Sequence, residues 1–538
     1  MKIRNILKRG KHFSAFLATL LILASCSDTW DDHYDEGLAT SNQTLFQLIE
    51  SNAELSDFMK VLKATHIFNN LKRTNVTYAQ LLNNDQTLTV WAPKNGTFNA
   101  DSLLQECMTQ RGDSLVGIHF VGNHISHNLY SMSSSTNETA LMLNNKQISV
   151  TPEGVGNARL DATSCNHPAK NGLLHLLNNN IDYLYTIYDG LTTLPAYAHI
   201  GDFLLKYQRY ELDEERSIMS GLVDGEKVYS DSVMYVYNPF ISILGSITSE
   251  DSVNIMLAPS KEIWQPAFDE ALTYFNYGSI QKADSIQLYW TNRMLLQDLF
   301  YNRNLQHLSD SIFSGSYRKY VDPEHHVYYK PLEAGGLLSS TYIADSIQGS
   351  NGVFYNLRQW PFTPEQIYFW PVKVEGENEP AIIDHSDCNL EYRSAVADSI
   401  SGGYVRINPR TSASNWTVTY EVANTLAGTY DVCAVILPKT VYNIASRDFK
   451  PNKFVATLTY TDENGEEQIQ EFTEEVSNNP YCVDTVKIGT ITLPVCNYQQ
   501  TEVTVRLKLS CSISRRENQY SRDTYLDCIY LRPNRKEN

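Results

Sequence analysis

The sequence predicts two successive α+β units followed by an all-β, jelly-roll-like sandwich, and three observations carry the prediction. One phrase, a short apolar strand running into Ala-Pro and a polar turn, occurs twice, at residues 88–98 and 253–264. Before each copy stands a stretch with apolar residues at three- and four-residue steps, the pattern of an amphipathic helix. Beyond residue 380 that period disappears and short runs of period two replace it. A chain of 538 residues, 42% apolar and 19% charged, has room for three or four folded domains at roughly 100–200 residues each.

Residues 1–25 read as an export signal. Lys2, Arg4, Lys8, Arg9 and Lys11 precede an apolar run from Phe13 to Ala24, which is shorter than the roughly 20 residues a spanning helix needs. The run ends Leu23-Ala24-Ser25-Cys26. This resembles the lipobox of bacterial lipoproteins, which implies cleavage before Cys26 and a diacylglycerol on its thiol. Acyl chains contribute ~0.8 kcal/mol per buried CH₂, so two or three of them anchor firmly. No later stretch reads as a membrane span. Residues 26–40 hold Asp28, Asp31, Asp32, Asp35 and Glu36 and form a solvated acidic tether. It resembles the signals that send lipoproteins to the outer face of the outer membrane in Gram-negative glycan-degrading bacteria. The expectation is an outer-membrane, lipid-anchored, surface-exposed protein. The net charge of −18 includes that basic leader, so the body is more acidic still. Such a body repels a phosphate backbone, and nucleic acid is excluded as a partner.

The first unit spans residues 41–190. It opens with Thr44-Leu45-Phe46-Gln47-Leu48-Ile49-Glu50, continued by Leu55, Phe58, Met59 and Leu62. The second, at 191–375, opens with Ala198, Phe203, Leu204 and Tyr207. Each then carries the repeated strand, Leu88-Thr89-Val90-Trp91-Ala92-Pro93 in one and Asn254-Ile255-Met256-Leu257-Ala258-Pro259 in the other. Proline lacks the amide donor, so it ends the pairing there. Each closes on an Asn-Gly turn and an apolar strand: Asn171-Gly172-Leu173-Leu174-His175-Leu176-Leu177, then Asn351-Gly352-Val353-Phe354-Tyr355-Asn356-Leu357. These two boxes, in order and twice, resemble those of fasciclin domains over about residues 41–375. The family's second box has His where the second copy has Tyr355, and its helix-borne Tyr-His is met only by Ile118-His119 and by Phe300-Tyr301-Asn302-Arg303. The second copy therefore departs further from the pattern. The resemblance implies compact α+β folds used in adhesion and in binding proteins or glycans at surfaces.

Glu375-Gly376-Glu377-Asn378-Glu379-Pro380 reads as a polar linker into the last domain, 376–538. Alternating runs follow, among them Trp416–Val422, Thr429–Val435, Phe454–Tyr460 and Thr501–Leu507, with the turn signal Glu463-Asn464-Gly465. Ala427-Gly428-Thr429-Tyr430 and the closing Tyr525-Leu526-Asp527-Cys528-Ile529-Tyr530-Leu531-Arg532-Pro533 resemble the hairpin and terminal strand of galactose-binding-like jelly rolls. Such modules often bind carbohydrate through loop aromatics. Six cysteines fall here, Cys388, Cys433, Cys482, Cys496, Cys511 and Cys528, without a Cys-x-x-Cys pair. They are either disulfides of an exported protein or buried thiols.

The nucleophile-elbow, phosphate-loop, zinc-protease and dinucleotide motifs are absent. Asp322-Pro323-Glu324-His325-His326 and the trio His119, His124 and His127 are the densest metal-capable groups, and each reads better as loop or packing. No catalytic residue, metal or cofactor is expected. Trp360, Tyr368 and Trp370 cluster with Phe362 and Phe369 among prolines. With Trp416 they are the candidate rings for stacking on a sugar face; their other reading is core packing. Asp followed by Ser and Leu, Val or Ile recurs at Ser102, Ser114, Ser232, Ser252, Ser285, Ser311, Ser346 and Ser399, and Thr485 has the same setting. The pattern resembles the O-glycosylation signal of exported proteins in those same bacteria; Asp-Ser is also an ordinary turn pair. The function expected is non-enzymatic: capture of a polysaccharide or a partner protein beside an outer-membrane transporter or another surface lipoprotein. A scaffold without ligand, or a glycan-processing enzyme with its site in the last domain, are the alternatives.

Overall fold

The computed structural model describes residues 41–535 apart from 70–71, 224–225, 252, 304–310, 315–326 and 395–401. The chain divides into two compact units, Met1–Tyr185 with Tyr210–Val236, and Thr186–Arg209 with Tyr237–Asn538. These units do not follow the sequence boundaries at 190 and 375. Residues 210–236 group with the first unit, and the sandwich shares one unit with the second α+β region.

In the first unit Thr44 caps the helix Leu45–Ser51 in a reciprocal capping box with Gln47. The next helix, Ser56–Ala64, buries Phe58, Met59, Val61 and Leu62. Both lie over a four-stranded sheet in the order Ile125–Ser126, Leu88–Pro93, Gly172–Leu177, His167–Ala169. The two repeated boxes are its parallel central pair, with Gly172 opposite Leu88 and Leu177 opposite Pro93. All six residues of Leu88–Pro93 are buried, as a strand covered on both faces must be. Asn171 pins the sheet to the first helix. Its Oδ1 accepts from the Leu45 amide at 2.8 Å, and its Nδ2 donates to the carbonyls of Leu82 and Asn84. A Cβ on Gly172 would lie 1.8 Å from the Leu88 carbonyl oxygen, so only glycine permits this approach.

The second unit repeats the device. Asn254–Ala258 runs parallel to Gly352–Leu357, with Gly352 beside Asn254. Asn351 Oδ1 accepts from the Ile187 amide at 2.8 Å, and its Nδ2 donates to the carbonyls of Ile247 and Ser249. Thr186 caps the helix Ile187–Thr193 as Thr44 caps its counterpart. Here the sheet has six strands, with the parallel pair inside it.

The sandwich packs two antiparallel sheets. One runs Cys388–Ser394, Gly403–Pro409, Thr524–Pro533, Gly428–Ile436, Asp484–Leu493. The other runs Ile382–Ser386, Thr417–Glu421, Arg506–Cys511, Lys453–Thr461, Glu467–Ser477. The closing strand is central to its sheet. The segment read as the head of a linker departs from that reading. Val372–Glu375 is a strand paired with Thr524–Pro533, Glu375 facing Cys528. One continuous apolar cluster joins the second α+β region to the sandwich interior, from Phe275 and Phe369 to Tyr430 and Trp416. The eight described cysteines form no disulfide; of the six in the last domain, Cys388, Cys433, Cys496, Cys511 and Cys528 are buried thiols and Cys482 is exposed.

Candidate functional site

The aromatic residues singled out in the sequence go mostly inside. Trp416 is 1% exposed and its Nε1 donates to the Arg522 carbonyl at 2.7 Å. Tyr368 is 4% exposed and packs on Tyr274 and Phe275. Neither ring is open to stack on a ligand, because each fills the apolar interior that holds the sandwich together or joins it to the α+β region. Trp360 and Trp370 are half-buried, and Trp360 meets Trp264 and Phe362 edge-on. Aromatic area of 150–250 Å² per ring is spent here on packing.

The histidines are structural too. His175, the second-box residue, contacts the Tyr130 carbonyl through Nε2 at 2.9 Å and accepts the Asn166 amide on Nδ1. Burial lowers its pKa to about 4. His124 is likewise lowered to about 4 by burial, with both ring nitrogens engaged, by the Phe120 carbonyl and the Ile181 amide. His127 contacts Gln86, and His119 stacks on Tyr183 at 4.1 Å. Each of the three has its own separate partners. Asp322–His326, Cys26, Ser252 and Ser399 lie outside the described residues, as does the side chain of Ser311. Of the remaining Asp-Ser or Asp-Thr positions, Ser102, Ser232, Ser285, Ser346 and Thr485 are exposed, and Ser114 is half-buried within the helix Gln110–His119.

Two sites were not visible in the sequence. The first is an open aromatic face at one end of the sandwich. Tyr481 is 72% exposed, and its ring lies nearly parallel on Phe449 with centroids 5.0 Å apart. The two loops that carry them are pinned. The Asn452 amide donates to Asn478 Oδ1 at 2.7 Å, and Asn452 Nδ2 donates to the carbonyls of Ser521 and Asp523. The Asn479 amide donates to Asp484, and the Tyr481 amide to Asn479 Oδ1. The same loops contribute Asp448, Lys450, Asn452, Asn478 and Pro480, with Lys439, to the lining of a shallow depression. The Lys439–Asp448 ion pair is 3.2 Å long. This supplies an exposed ring on hydrogen-bonded loops that also carry a polar depression.

The second is a group of acids where the strand Val372–Glu375 meets the closing strand Thr524–Pro533. Ligand atoms of Glu375, Asp527 and Cys528 lie within 4.8 Å of one another. Glu375 Oε2, Glu377 Oε2 and Asp527 Oδ1 are buried without a hydrogen-bond partner. Burial raises the pKa of Asp527, and burial with the neighbouring Glu375 and Asp527 charges raises that of Glu377. Burial also holds the Cys528 thiol protonated. Orphaned carboxylate oxygens are hard donors of the kind that suit Ca²⁺ or Mg²⁺, so Glu375 and Asp527, which converge with Cys528, are the residues that could hold such an ion, in competition with Lys373, whose Nζ lies 2.8 Å from Glu375 Oε1. The sequence hides this set because its members are separated by the whole sandwich.

No family model matches the chain, and no curated protein matches it. Among solved structures, a family 35 carbohydrate binding module from Clostridium thermocellum is 13% identical over 30% of this chain and 97% of its own, with a TM-score of 0.19. The CBM22-1 xylan-binding domain from Paenibacillus barcinonensis Xyn10C is 11% identical over 30% and 92%, with a TM-score of 0.21. The GH26-CBM35 β-(1,4)-mannanase of Podospora anserina is 15% identical over 32% of this chain, with a TM-score of 0.19, and the match spans 29% of the mannanase. The fold of the last third rests on its own strand pairing.

Proposed function

We propose that this chain is a surface binding lipoprotein that captures glycan. Tyr481 is the observation that supports the reading most: an exposed ring, backed by Phe449 and held by pinned loops, offers a flat apolar face for sugar C–H bonds. Pro480, the neighbour of Tyr481 in the chain, lines a depression with Lys439, Asp448 and Asn478, which brings polar groups to the same loops. The leader and Cys26 suit lipid attachment to the outer membrane, with the acidic tether holding the body clear of the surface. Among the described residues no helix is long and apolar enough to cross a membrane. The captured glycan passes to an outer-membrane transporter or another surface lipoprotein. The exposed acceptors among the Asp-Ser and Asp-Thr positions carry O-linked sugar.

The test is retention on insoluble polysaccharides, with the full mature chain and Tyr481→Ala. Retention that falls about tenfold in the variant, as loss of one stacking ring would give, supports the proposal. No retention makes the chain a scaffold; release of soluble sugar makes it an enzyme. Attachment is tested by Cys26→Ala, which removes the acylation site; membrane retention unchanged by that substitution contradicts the anchor.

A further inference from the structure

We infer that the cleft between residues 275–282 and the sandwich loops 461–466 and 494–505 is a second binding site, for a neutral saccharide of one or two rings. The inference deepens the capture reading and rests on it.

The cleft encloses about 290 Å³, near the lower end of the ~300–1,000 Å³ typical of small-molecule sites. Its walls are fixed across the joint. The Cys496 amide donates to the Asn276 carbonyl at 2.6 Å, Asn276 Nδ2 donates to the Pro494 carbonyl at 3.2 Å, and the Tyr277 hydroxyl donates to the Tyr498 carbonyl at 3.0 Å. Gly278 has φ +60°, and a Cβ there would lie 2.9 Å from Val495 and 3.1 Å from the Glu463 carbonyl. The two walls approach this closely only with glycine at the turn. A site already held open needs little ordering when it binds.

The lining selects the ligand. Asn497 is 4% exposed. Its Nδ2 donates to the Glu502 carbonyl at 2.8 Å, while its Oδ1, also buried, has no partner. A buried acceptor left unsatisfied costs about 1–3 kcal/mol, and Asn497 is one of the residues that line the cleft. Glu502, Gln500, Thr501, Thr504 and Ser279 add further polar groups around it, and Ile280 and Val495 add apolar surface. The only charged lining side chains are the carboxylates of Asp462 and Glu502; Lys, Arg and His are absent from the lining. Asp462 is committed to its own turn, accepting from the amides of Asn464 and Glu466 and from Gln468. Acceptors beside a carboxylate, without a balancing cation, favour a donor-rich uncharged polyol and repel uronates, sulfates and phosphates.

The experiment is calorimetric titration of the full mature chain with neutral gluco-, manno-, galacto- and xylo-oligosaccharides and with oligogalacturonate. Ser279 is exposed at the cleft, and Ser279→Trp fills it; Glu502→Gln removes the charge while leaving the shape. Measured in a Tyr481→Ala background, which takes the aromatic face out of the signal, binding of at least one neutral oligosaccharide is expected, weakened tenfold or more by adding Ser279→Trp and several-fold by adding Glu502→Gln. Preference for oligogalacturonate, indifference to both cleft substitutions, or no binding of neutral oligosaccharides overturns the cleft assignment. If polysaccharide is still retained through Tyr481, only the cleft reading falls; if it is not, the capture reading falls with it.

Discussion

The two α+β regions use one local device and reach different ends with it. In the first unit Asn171 ties the parallel strands to the opening helix, and the sheet closes on two cores of its own, one around Phe58 and Leu88, the other around Trp91 and Val150. In the second unit Asn351 makes the same three hydrogen bonds, but the core runs on through Phe275 and Phe369 into the sandwich. The second box diverges in step: His175 is sealed against Trp91, whereas Tyr355 is half-buried. The local hydrogen-bond pattern thus sets the strand pairing, while the apolar residues beyond it decide whether a copy stands alone or carries a neighbour.

The sharpest way to break the comparison is at the glycines. Gly172→Ala and Gly352→Ala put a methyl 1.8 and 2.3 Å from a carbonyl oxygen, and each is expected to cost about 4 kcal/mol or more. In calorimetry Gly172→Ala lowers the transition of the first unit alone, whereas Gly352→Ala lowers α+β region and sandwich together. Separate melting of the sandwich in the second variant would contradict the shared core.

Acid sharpens the same contrast. His124 and His175 have folded-state values near 4, below the ordinary 6.5. Their contribution is whole above pH 6.5 and is lost as pH falls toward 4, because the unfolded chain binds protons first. At pH 5 the first unit loses about 2 kcal/mol for each. His199 in the second unit is also lowered by burial, so that unit weakens in the same direction. Melting scans from pH 7 to pH 4.5 should show the first transition falling further; a first transition that does not move contradicts burial of the two neutral imidazoles.

A smaller effect concerns the acids of the second unit. Millimolar Ca²⁺ should raise its melting temperature by a few degrees and leave the first transition in place. Glu375→Gln with Asp527→Asn should remove the response. A rise that survives both substitutions, or none in the wild type, would mean that Glu375 and Asp527 hold no ion.

Much of this was legible locally and the rest was not. The repeated boxes show because strand, proline and Asn-Gly turn are consecutive in the chain. What Asn171 does was hidden, since its partners Leu45 and Leu82 stand far away in sequence. Trp416 could be core or platform until its burial was known, and Tyr481 carried no signal beyond lying near Asn479 and Pro480. Glu375 reads as linker in the sequence because its strand is recognisable only through its pairing with Thr524–Pro533.

Native affinity electrophoresis of the full mature chain through gels cast with soluble polysaccharides tests the central claim most directly. Glycan capture predicts that at least one polysaccharide retards the protein and that Tyr481→Ala restores most of its mobility. Equal mobility of wild type and variant in every gel, with and without polysaccharide, would contradict it.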